Sequence, residues 1–123
     1  MFPTQITLRN IRPSPELSAR IRDLCEKLGH LHPRILNCRV AIEQPVVRLP
    51  RRVSRSAPPA PPEPYLVDVQ LRLPGREVGT EPQCDAELDA ALRKAFAMVR
   101  RRLREASLLE RESIREQRVA TLA

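Results

Sequence analysis

Every alternating segment of this chain is apolar on one side only, and that limits its fold more than any other feature. Ile35 to Glu43 sets Leu36, Cys38, Val40 and Ile42 against Asn37, Arg39 and Glu43. Tyr65 to Leu73 sets Val67, Val69, Leu71 and Leu73 against Asp68, Gln70 and Arg72. Alternation with a period of two predicts strands that turn one face to a core. Gln5 to Asn10 repeats the pattern with Ile6 and Leu8, and Pro74-Gly75 predicts a turn into a fourth strand, Glu77 to Thr80. A sheet built from such strands is covered on one side and wet on the other.

Two amphipathic helices supply the cover. Ser14-Pro15-Glu16 reads as an N-cap, a proline at the first helical position and an acid in the first turn. Leu17, Ile21, Leu24 and Leu28 follow at helical spacing, and Gly29 is expected to end the helix as its C′ residue. Near the other end of the chain, Leu88, Leu92, Ala95, Val99 and Leu103 step by four, three, four and four, one stripe of a second helix. The order is therefore β-α-β-β-β-α: an α+β domain whose four-stranded sheet carries two helices packed on one face. With 123 residues the chain has room for a single core. We place the domain at 1–106 and expect 107–123 to be a charged extension, helical or frayed at its end.

One stretch interrupts the domain. Between the second and third strands, residues 45–64 read PVVRLPRRVSRSAPPAPPEP, with seven prolines in twenty residues and one acid, Glu63. Such a composition builds neither strand nor helix and predicts an extended excursion. Arg48, Arg51, Arg52 and Arg55 fit an auxiliary arm along phosphates, or a tolerated insertion kept soluble by its charge; the sequence leaves both open.

Charge points toward a polyanion. The net charge is +7, and from Leu92 to Arg104 there are six cations and no carboxylate. A solvated helix face usually mixes signs in i,i+4 pairs, whereas a face of one sign matches an anion, and nucleic acid is the commonest large one. Aromatic residues make up only 2% of the chain, too few for a base-stacking platform. Contacts should therefore go to phosphates and sugars and read shape. After Arg104 the signs alternate, so the extension is not expected to bind phosphate itself.

Catalytic and metal chemistry find little support. Cys25, Cys38 and Cys84 are odd in number and widely spaced, with no CxxC pair. Cys25 and Cys38 fall on apolar faces and should be buried thiols, which separates them from His30 and His32 as a ligand set. No Ser/His/Asp arrangement, Gly-rich phosphate loop or carboxylate pair in a pocket is visible. Asp85, Glu87 and Asp89 crowd the start of the second helix, where the macrodipole favours acids. We expect no enzyme, no cofactor, no metal and no small-molecule substrate. No leader and no long apolar run is present, so the expected location is cytoplasmic, with no membrane partner.

Four strings carry a resemblance to a known family: ITLRNIRPSPEL, KLGHLHPRI, VDVQLRLPGREV and AALRKAFAMVRRRLR. In this order, and on these element types, they resemble the ribosome hibernation-promoting factor and ribosome-associated inhibitor A (sigma-54 modulation protein) family, over roughly residues 5–44 and 65–104. The resemblance implies a fold akin to double-stranded-RNA-binding domains, of the family's short type. It also implies a translation regulator of stressed or stationary-phase cells that occupies the small ribosomal subunit where messenger and transfer RNA would sit. Lys27, Arg34 and Arg101 match the family's basic positions. The remaining cations, Arg93, Lys94, Arg100, Arg102 and Arg104, are this chain's own and are assigned by helical phase, with Arg20 on the first helix as an auxiliary contact. Asp89 and Met98 depart from the family, in which Tyr and Lys are usual. The expected partner is small-subunit ribosomal RNA, bound by a protein that is monomeric when free. A general RNA-binding module of the same fold, and a protein-interaction adaptor using the proline-rich excursion, are the alternatives.

Overall fold

The structure is a computed structural model that describes residues 2–45 and 63–122, the side chains of 113 and 117–122 excepted. It contains β1 (Thr4–Arg9), α1 (Pro15–Leu31), β2 (Asn37–Glu43), β3 (Tyr65–Leu73), β4 (Arg76–Gly79), β5 (Gln83–Asp85) and α2 (Leu88–Leu122). β1 runs parallel to β2 through the α1 crossover, β2 pairs antiparallel with β3, and both β4 and β5 pair antiparallel with β3. The two helices cover one face, α2 over β3, β4 and β5 and α1 toward β1. This is the expected α+β architecture, with one strand more than the sequence suggested.

Most of the expected inward residues form the core. Cys38, Val40, Ile42, Val67, Val69, Leu71 and Leu73 are all buried, and the register aligns Ile6, Val40 and Val69 in one row across the sheet. Ile21, Cys25 and Leu28 from α1 and Leu92, Ala95, Val99 and Leu103 from α2 close over them. Each large side chain buried this way contributes about 1.5–3 kcal/mol. The Cys25 and Cys38 sulfurs lie 3.7 Å apart inside this core. Their shared hydrogen bond and burial push the Cys38 thiol up, so it stays protonated.

Three boundaries differ from expectation, each for a local reason. Gly29 does not end α1; the helix runs to Leu31 and is capped at His32, whose N–H donates to the Leu28 carbonyl at 3.1 Å. Pro33 then stops it. At Gly29 the Phe2 ring lies 3.2 Å from where a Cβ would stand, so the glycine admits a close neighbour. Leu36, expected inside, is 49% exposed, while Ile35 is buried. The strand proper begins at Asn37, after the chain has turned out of the helix. The fourth strand is broken: Gln70 pairs with Gly79 and Val67 with Gln83, so residues 80–82 oppose only 68 and 69. This is a β-bulge, which an alternation pattern does not disclose. Thr80 is buried in it, and its Oγ1 accepts the Val69 N–H at 3.2 Å.

Two turns behave as read. Ser14 Oγ accepts the Leu17 N–H at 3.1 Å, and Gly75 takes φ +69°, a conformation that costs a side chain about 1 kcal/mol. The excursion leaves and returns at a closed neck, where Gln44 Nε2 donates to the Glu63 carbonyl at 3.2 Å. No helix among the described residues is long and apolar enough to cross a membrane.

Candidate nucleic-acid interface

α2 is held on the sheet by its apolar stripe, and that packing fixes where its cations point. Ala91, Leu92, Ala95, Phe96, Val99, Leu103 and Ala106 are buried, so the sector centred on Arg93, Arg100 and Arg104 faces outward beside α1. Arg100 and Arg104 share the wall of an interhelical cleft of about 290 Å³ with Lys27 of α1, over a floor of Leu24, Leu28 and Phe96. Three cations from two helices thus meet at one groove. Among the described residues, Arg34, Arg100, Arg101 and Arg104 make no ion pair.

The other candidates are more engaged. Arg93 Nε lies 3.2 Å from Asp89, and Arg20 Nε reaches the same carboxylate at 3.2 Å. Asp89 therefore joins the two helices. Lys27 Nζ stands 3.4 Å from Asp23 and remains well exposed. These surface pairs are weak and exchange readily for phosphate. Lys94 differs. Its Nζ is 2.7 Å from Asp85 Oδ2 and donates to the Cys84 carbonyl at 3.1 Å, which ties α2 to β5. Asp85 accepts the Glu87 N–H at 2.9 Å; that bond first, and Lys94 second, hold its carboxyl below the usual value. Lys94 is a brace as well as a surface charge, about a quarter-turn round the helix from Arg93.

Arg102, assigned by helical phase with the other cations, is turned instead toward the sheet. Its guanidinium donates to the Gly79 carbonyl and to both Glu81 oxygens at 2.8 Å, clamping α2 to the bulge. Arg34 follows the α1 cap, its N–H donating to His32 Nδ1 at 3.2 Å. The imidazole is buried, and its Nε2 faces Glu110 of α2 at 3.7 Å. Local sequence pattern carries no sign of this contact, since His32 and Glu110 are far apart in the chain. The excursion cations Arg48, Arg51, Arg52 and Arg55 lie outside the described residues. No cluster of three or more metal-ligating side chains forms among the described residues. His30 is exposed while Cys25 and Cys38 face the core.

The uncovered face of the sheet offers a second shallow depression, about 450 Å³, walled by Arg9, Arg39, Glu43 and Asp68 among others. Its signs are mixed, unlike the cleft between the helices.

Residues 4–107 match the model of the family described as Sigma 54 modulation protein / S30EA ribosomal protein. The chain belongs to this family. Among solved structures it is similar to the N-terminal domain of Protein Y from Thermus thermophilus, at 15% identity and a TM-score of 0.65, covering 85% of this chain and 98% of that one. It is also similar to a ribosomal subunit interface protein from Coxiella burnetii, at 16% identity and a TM-score of 0.59, covering 87% and 99%. At these identities the likeness is one of fold. No curated protein matches the chain.

Proposed function

We propose that this family member is a ribosome-associated hibernation factor that binds small-subunit ribosomal RNA through the α1–α2 face and blocks the decoding channel. The observation that carries this reading is the cleft where Lys27, Arg100 and Arg104 converge without a carboxylate in its wall. A groove of one sign over a low-dielectric floor concentrates the field toward an anionic backbone. Membership of a family described as ribosomal protein and the likeness to a subunit interface protein support the ribosome as the source of that backbone. Inhibition is steric: a folded domain seated in the channel excludes the RNAs that translation needs there, and no bond is made or broken.

Arg93 shares the helical sector of Arg100 and Arg104, Arg34 and Arg101 are exposed and make no ion pair among the described residues, and Arg20 pairs with Asp89. Some six phosphate contacts would lower affinity about a thousandfold or more between roughly 50 and 200 mM salt. Changing Arg93, Arg100, Arg101 and Arg104 together to Glu is expected to abolish co-sedimentation with purified small subunits while leaving the circular dichroism intact. Undiminished co-sedimentation defeats the assignment. Unrelated duplex RNA that competes at the affinity of ribosomes identifies a general RNA-binding module instead.

A further inference from the structure

α2 continues past the matched family region, which ends at residue 107, as one unbroken helix to Leu122. That continuity gives Arg111 and Arg115 a definite direction. Arg93, Arg100, Arg104, Arg111 and Arg115 follow one another at intervals of seven, four, seven and four. At 100° per residue all five fall within a sector of roughly 60°. The acids of the extension fall elsewhere. Glu105, Glu112 and Glu116 lie roughly 100–140° around the helix from Arg93, and Glu110 is turned inward against His32. The alternating signs that balance in sequence are therefore segregated in space.

We infer that the RNA-binding face continues beyond the domain, with Arg111 and Arg115 gripping the phosphates of the same RNA strand that Arg100 and Arg104 engage. This rests on the reading of α2 as the RNA face. Three observations support it. Arg111 and Arg115 are exposed and, among the described residues, form no ion pair. Arg100 with Arg104 and Arg111 with Arg115 place like charges at i,i+4, which destabilises a free helix and suits an anion-bound one. The root of the extension is anchored in phase, since Ala106 is buried and Glu110 meets the His32 imidazole at the end of α1. The ladder spans roughly 33 Å from Arg93 to Arg115 at 1.5 Å per residue, a distance matched to a run of backbone phosphates. Planar guanidinium forks suit phosphate oxygens at each rung.

The test compares salt slopes of binding to purified small ribosomal subunits for two double variants of the full chain, Arg111→Gln/Arg115→Gln and Arg100→Gln/Arg104→Gln. Each phosphate contact contributes about 0.7–0.9 to the slope of log K against log salt, so each double variant is expected to lower it by about 1.4–1.8. Arg111→Lys/Arg115→Lys, which keeps the charge, is expected to restore the slope, and far-UV dichroism to stay unchanged throughout. A slope lowered only by the Arg100/Arg104 variant overturns the extended ladder and leaves the domain's RNA face in place. Slopes unchanged in both overturn the ladder and the underlying reading together. Polyglutamate that competes as strongly as ribosomal RNA identifies an acidic protein as the occupant and likewise overturns the proposal.

Discussion

The Arg102 guanidinium donates to the Gly79 carbonyl and to Glu81, while its neighbour Arg101 is exposed with no carboxylate partner among the described residues. One step along a helix is a rotation of about 100°, enough to turn one arginine to the bulge and the next to solvent. Arg102→Met is therefore expected to lower the melting temperature and leave the salt slope of ribosome binding unchanged; Arg101→Met should do the reverse. The acid partners set a pH dependence. Arg102 first holds the Glu81 carboxyl below its usual value, and the Glu87 N–H and then Lys94 do the same for Asp85. A depressed carboxyl contributes stability that is present above its unfolded-state value and lost as pH falls through the folded one. Melting temperature should thus decline as pH drops through the carboxylate range. The decline should be shallower in Glu81→Gln/Asp85→Asn, and a slope identical to that of the unaltered protein refutes both contacts.

Among the elements, the broken fourth strand and the α1 cap make separate predictions. Thr80 Oγ1 stands in for a backbone acceptor at the bulge, and Thr80→Val leaves the Val69 N–H buried without a partner. The expected loss is about 1–3 kcal/mol, read by urea denaturation. Ser14→Ala removes the oxygen that caps Leu17 and should cost about 1 kcal/mol in the same measurement. Neither site faces the interhelical cleft, so ribosome binding by the folded fraction should be unaffected.

For the molecule as a whole, the sheet brings the ends of the excursion together. Gln44 and Glu63 are hydrogen-bonded across its neck. Replacing residues 46–62 by a short Gly/Ser turn is expected to leave the melting temperature within a few degrees, because loop-closure entropy varies only slowly with length. It is also expected to leave co-sedimentation with small subunits in place. Loss of every partner on that deletion, with the fold retained, identifies an adaptor in place of a ribosome plug.

Local periodicity in the sequence determined the core faces of the strands, the buried stripe of α2, the cap at Ser14 and the turn at Gly75, because each depends on residues a few positions apart. Family membership was legible in the same way, from four strings in order. The tertiary structure alone decided the rest. Pairing with β3 is what turns residues 80–82 into a bulge, and contact between distant segments joins His32 to Glu110 and Arg20 to Asp89. A charge count along the chain shows six cations between Leu92 and Arg104 but not which of them the sheet engages. Only docking of the helix separates Arg102 and Lys94, tied to β4 and β5, from Arg100, Arg101 and Arg104, which make no ion pair among the described residues.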